Sequence, residues 1–147
     1  MKTPLLLIVS SAVVLMSCSD ADSAAEPKAD ASRWYSQSQL TAGALVFAQN
    51  CAQCHGDNAQ GTVVDWRQKL DDGSFPPPPL NGSAHAWHHP QSVLLQVIDN
   101  GGVDLGGTMP AFAALLDQSE KLAAIAYFQS FWSDEIYGQW MQMGGTN

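Results

Sequence analysis

Residues 51–55 read Cys-Ala-Gln-Cys-His, two thiols three positions apart with an imidazole directly after the second. This spacing constrains the chain more than any other feature in it, because it is the attachment pattern for a covalently bound c-type haem. On a tight turn the two thiols can add to the two vinyl groups along one edge of the macrocycle, and the histidine swings beneath the iron. A chain holding such a group must wrap around it. Other chemistries use only part of the pattern. A thioredoxin-like CxxC has no need of the adjoining histidine, and a zinc site needs a second ligand pair at suitable spacing. The sequence has three cysteines, and the third, Cys18, follows an apolar leader. Cys51 and Cys54 are therefore the thiols of the folded part, and no disulfide framework can be built from them.

The leader reads as an export signal over residues 1–17. Lys2 supplies the positive charge, Leu5 to Val9 and Ala12 to Leu15 the apolar stretch, and Ser17 a small residue before Cys18. That stretch is too short to span a membrane convincingly. Leu15-Met16-Ser17-Cys18 also resembles the bacterial lipobox, which implies that Cys18 becomes a lipid-modified first residue. Residues 18–33, rich in Ala, Ser and Asp, lack hydrophobic periodicity and read as a flexible tether. The expected location is the bacterial cell envelope, lipid-anchored and facing the periplasm or the outside.

The formal charge is −8, and loss of Lys2 with the signal takes it to −9. Nucleic acid is excluded as a partner, because phosphate binding needs a basic surface. The acidity suits either plain solubility or steering toward a basic patch on a redox partner.

Residues 34–132 form one domain with a modest apolar core, followed by a tail over 133–147. Three main helices are expected in an all-α fold. The first carries Leu40, Ala44, Phe47, Ala48 and Cys51 at helical spacing, with Ser38 as its cap, and runs into the CxxCH turn. A second spans about Pro90 to Asn100 and stops at Gly101-Gly102. A third starts at Asp117, whose partner Glu120 completes a capping box, and continues to about Trp132. Between the first two lies a long segment holding Asp71-Asp72-Gly73 and four consecutive prolines, Pro76 to Pro79, which excludes helix and interior strand. Loops this long in a small domain need something to pack against, and a haem supplies it.

A helix entering CxxCH, a proline-bearing loop, a later Met-Pro pair and a closing aromatic helix together resemble class I cytochrome c, over about residues 38–132. The resemblance implies long loops wrapped around one covalently bound haem c, with Cys51 and Cys54 as thioethers and His55 as axial ligand. Gly43 and Phe47 on the first helix, with Ala126-Tyr127-Phe128 on the last, are similar to the family's helix crossing, a small-residue notch receiving an aromatic ring.

Candidates for the sixth iron ligand are Met109, Met141, Met143, His85, His88 and His89. Met109, within Gly106-Gly107-Thr108-Met109-Pro110-Ala111-Phe112, is similar to the family's methionine loop. The alternative for Met109 is a core filler. The cluster His85-Ala86-Trp87-His88-His89 offers an alternative ligand, a copper site, or merely surface and cap residues. The family also implies a proline carbonyl on the other ring nitrogen of the haem histidine, and Pro79 is the best match. Trp66 and Arg67 are candidates for contact with a haem propionate, or simply a packed ring and a solvated cation.

With His55 and Met109 both bound, iron has no open position and gains or loses one electron. The resulting expectation is a monohaem electron-transfer protein, not itself an enzyme, passing electrons between redox partners outside the cytoplasm. Two alternatives stand beside it. One is a haem subunit fixed to a dehydrogenase or respiratory complex; the other is a sensor or weak peroxidase with a labile Met109. The tail, with Ile136, Tyr137 and Trp140, either docks a partner or wraps back over its own domain.

Overall fold

The computed structural model describes residues 29–147. The export signal, Cys18 and most of the expected tether lie outside the described residues. Among those described, every regular element is helical: α1 Gln37–Asn50, α2 Ala52–His55, α3 Gln91–Asn100, α4 Gln118–Gln129 and α5 Asp134–Gln142, with 3-10 turns at Ala86–His88 and Val103–Leu105.

Local chemistry sets the helix starts. The Ser36 hydroxyl accepts the Gln39 N–H, and the Gln39 side chain accepts the Ser36 N–H, a reciprocal cap two residues before the expected Ser38. Asp117 and Glu120 make the same arrangement on α4, at the expected residues. Ser133 caps α5, and Asp134 and Glu135 in its first turn complement the helix dipole.

α1 and α4 cross in direct contact. Gly43 is buried at the crossing, and a Cβ built there would overlap the carbonyl oxygen of Ala123. One turn further along, the Phe47 and Tyr127 rings pack with centroids 5.1 Å apart. The small-residue notch is therefore cut against Ala123, one turn before the aromatic run, and Tyr127 supplies the ring.

The segment 133–147 is built into the core. Tyr137 and Trp140 are buried with Phe47, Ile125, Phe128 and Trp132. Around this centre, residues 33 and 34 are stitched to α5. The Arg33 guanidinium lies 4.1 Å from the Tyr137 ring centroid and pairs with Asp134 at 2.7 Å, and the Trp34 N–H donates to the Tyr137 hydroxyl. No helix among the described residues is long and apolar enough to cross a membrane.

Candidate haem centre

α1 ends at Cys51, whose N–H still reaches the Phe47 carbonyl, and the single turn of α2 carries Cys54 and His55. Gly56 leaves that turn at φ 79, a left-handed conformation glycine adopts without strain. Both thiols are free. Burial pushes the Cys51 thiol up to about 11, and the neighbouring Cys54 pushes the same way.

His55 is 7% exposed and its orientation is fixed. Its Nδ1 lies 2.9 Å from the Pro78 carbonyl oxygen. A carbonyl can only accept, so Nδ1 holds the proton and Nε2 keeps its lone pair. Burial holds the imidazole below its ordinary pKa, with the Pro78 carbonyl acting in the opposite direction. That favours the neutral ring a metal requires.

The acceptor is thus Pro78, one residue before the expected Pro79. Register along the proline run is set from the far side of the loop. Buried Ala59, at φ 56, turns its carbonyl to accept from both Leu80 N–H (2.7 Å) and Asn81 N–H (3.1 Å). The Trp132 indole then donates to the Leu80 carbonyl at 2.7 Å. Pro79 instead packs on Gly61, where a Cβ would stand 3.1 Å from its ring.

Met109 sits on the loop between α3 and α4, half-buried, and its carbonyl accepts the Gly102 N–H at 3.0 Å. A Cβ on Gly101 would come within 2.6 Å of the Met109 oxygen, so the glycine pair ending α3 is what lets this loop lie close. Beyond Pro110, the Phe112 N–H donates to the Ile98 carbonyl and closes the loop onto the last turn of α3.

Trp66 and Arg67 are brought together with the histidine cluster. The exposed Arg67 guanidinium stands 4.4 Å from the Trp66 ring centroid, Trp66 stacks on His85 at 4.8 Å, and His89 meets His85 edge-on at 5.5 Å. His88 packs against Trp87 instead. No group of three His, Cys, Asp or Glu side chains that could hold a metal ion occurs among the described residues.

The loops after α2 and α3 expose Val63, Val64, Leu70 and Phe75 on one side and Val103 and Leu105 on the other. Exposed apolar side chains on both loops are surface that a bound group would cover. A pair of free thiols, a neutral buried imidazole with a free Nε2, a methionine and these loops fit a covalently held haem. Cys51 and Cys54 would carry the thioethers, and His55 would bind iron through Nε2. The group supplies one-electron redox chemistry.

Residues 38–128 match the family described as cytochrome c oxidase, cbb3-type, subunit III. The chain belongs to that family. Its subunit III relatives include the cbb3-type cytochrome c oxidase subunit FixP of Bradyrhizobium sp., 37% identical over 89 residues, which are 60% of this chain and 26% of that protein. The cbb3-type cytochrome c oxidase subunit CcoP of Azospirillum brasilense is 35% identical over 85 residues, 58% of this chain and 26% of that one. The subunit CcoP of Rhodobacter capsulatus is 49% identical over a shorter stretch of 35 residues, 24% of this chain and 12% of that protein. The chain spans about a quarter of the length of the first two. No solved structure matches it. The cbb3-type match stops at residue 128, so α5 and its trailing turn lie beyond it.

Proposed function

We propose that this protein is a monohaem c-type electron-transfer subunit that works bound to a membrane respiratory oxidase complex outside the cytoplasm. The match over residues 38–128 carries the reading, because it contains both the CxxCH turn and Met109 and the relatives it joins are oxidase subunits. It favours the fixed-subunit alternative over the freely sampling carrier first expected from the sequence.

In this reading Cys51 and Cys54 would keep the haem from dissociating, and His55 and Met109 would ligate its iron and leave no position for substrate. The protein then moves one electron at a time and makes no product. Trp66 and Arg67 offer a cation held over a ring for a haem propionate. Acylated Cys18 tethers the domain to the membrane and raises its effective concentration at the complex.

The test is purification from solubilised membranes. Haem that survives denaturing electrophoresis and near-equal co-purification with an oxidase support the reading; a haem protein recovered free of any partner would return the mobile carrier. Met109→Ala should abolish the far-red charge-transfer band of the ferric protein and let the ferrous protein bind carbon monoxide. Carbon monoxide binding by the unaltered ferrous protein would overturn the closed coordination sphere. Cys18→Ala should release the protein from membranes.

A further inference from the structure

α3 has no cap of its own. Its N-cap is Pro90, which has no side-chain acceptor, yet the first N–H groups of any helix need partners from outside it. Here they come from the end of the chain: the Gly145 carbonyl accepts the Gln91 N–H at 2.6 Å and the Asn147 carbonyl accepts the Ser92 N–H at 3.3 Å. The turn that delivers these carbonyls is held by Trp140. Its fully buried indole donates to the His89 carbonyl at 2.8 Å, just before the cap, and Gly145 lies so close to the ring that a Cβ there would overlap it.

The other end of α3 holds Met109. The Gly102 N–H donates to the Met109 carbonyl, and the Ile98 carbonyl accepts the Phe112 N–H after Pro110. One ten-residue helix thus connects a cap built from residues 145 and 147 to the loop bearing the sixth-ligand candidate.

We infer that the C-terminal turn, residues 143–147 seated on Trp140, is a positioning element for Met109, acting through α3 and not by contact. The inference rests on the proposed role of Met109 as iron ligand. The segment lies beyond the stretch matched to the family. When the cap is lost, the first turn of α3 frays, the helix shifts on α4, and Met109 is held less firmly while the haem stays attached through its cysteines.

The probe is imidazole binding to the ferric holoprotein, which competes with Met109 for iron and is read optically. Deletion of residues 144–147 should raise imidazole affinity about tenfold, equivalent to about 1.4 kcal/mol. Adding Pro90→Ser, whose hydroxyl can cap α3 directly, should reverse most of that rise. A merely structural role would lower the denaturation midpoint and leave imidazole affinity and the far-red band unchanged, which would overturn the inference. Should the deletion prevent folding, Trp140→Phe keeps a buried ring and removes the N–H; a rise of about threefold is expected there, and no rise overturns the inference equally. Met109→Ala in the full chain separates the two layers. Persistence of the band overturns the ligand assignment itself, whereas its loss, with unchanged affinity in the cap variants, overturns only the role of the turn.

Discussion

The Phe75 N–H donates to the Gly106 carbonyl at 2.8 Å. Phe75 stands three residues before Pro78, which orients His55, and Gly106 stands three residues before Met109. This backbone bond joins the loop whose Pro78 carbonyl orients His55 to the loop that carries Met109, and a Cβ built on Gly106 would meet the Phe75 ring at 3.5 Å.

Gly106 makes that bond from a left-handed conformation, φ 82 and ψ 13. Gly106→Ala has room for its Cβ but not for the backbone angle, so it should cost about 1 kcal/mol. Gly106→Asn should cost less, because asparagine tolerates this region better. Chemical denaturation of the two holoproteins checks the order; alanine the milder of the two would refute the conformational argument.

Gly43→Ala should be severe. Its methyl group would overlap the Ala123 backbone, which cannot rotate away as a side chain can, so α1 and α4 must move apart. A loss of about 2–3 kcal/mol is expected from overpacking, with poorer haem incorporation in vivo. A denaturation midpoint within error of the parent would show that the crossing is not tight.

Lys121 on α4 reaches Asp99 at the end of α3, nitrogen to oxygen 2.6 Å, in a pair that is close but not aligned as a hydrogen bond. The lysine side chain is 8% exposed and the aspartate 36%, so solvent screens one partner only. Lys121→Ala should cost about 1–2 kcal/mol, less than a fully buried pair, and the cost should shrink in high salt. A double-mutant cycle with Asp99→Asn measures the coupling, and a value near zero would leave Lys121 as packing alone.

Tyr35 is buried, and burial raises its hydroxyl pKa to about 12 against a slight lowering by Arg33. The unfolded chain loses this proton near pH 10, the ordinary tyrosine value, while the folded chain keeps it. The contribution of Tyr35 to stability is therefore complete below pH 10 and is lost as pH rises from 10 toward about 12. Tyr35→Phe should flatten that decline in denaturation midpoints taken across the window. An equally steep decline in the variant would assign it to other groups.

Much of the site is legible in the chain because its pieces are local. The CxxCH turn and the Asp117–Glu120 capping box are patterns of four or five residues, complete within themselves. The Ser36–Gln39 box was equally visible, but Ser38 competes for the same role two positions away. The proline register was not legible, since consecutive prolines present near-identical backbone and only a distant residue, Ala59, selects Pro78. α5 announces itself through Ser133, two acidic residues and the spacing of Ile136, Tyr137 and Trp140. It reads as a tail because its polar residues mask how deeply Tyr137 and Trp140 are buried.

The Tyr127 hydroxyl donates to the Asp57 carbonyl, two residues after His55 and one turn from the place where Gly43 meets Ala123. Helix crossing and histidine turn therefore share a mechanical linkage. With haem attached, the colour of the protein becomes a strain gauge: small shifts in the packing of α1 on α4, invisible to most probes, should register as changes in the iron's absorption and redox behaviour.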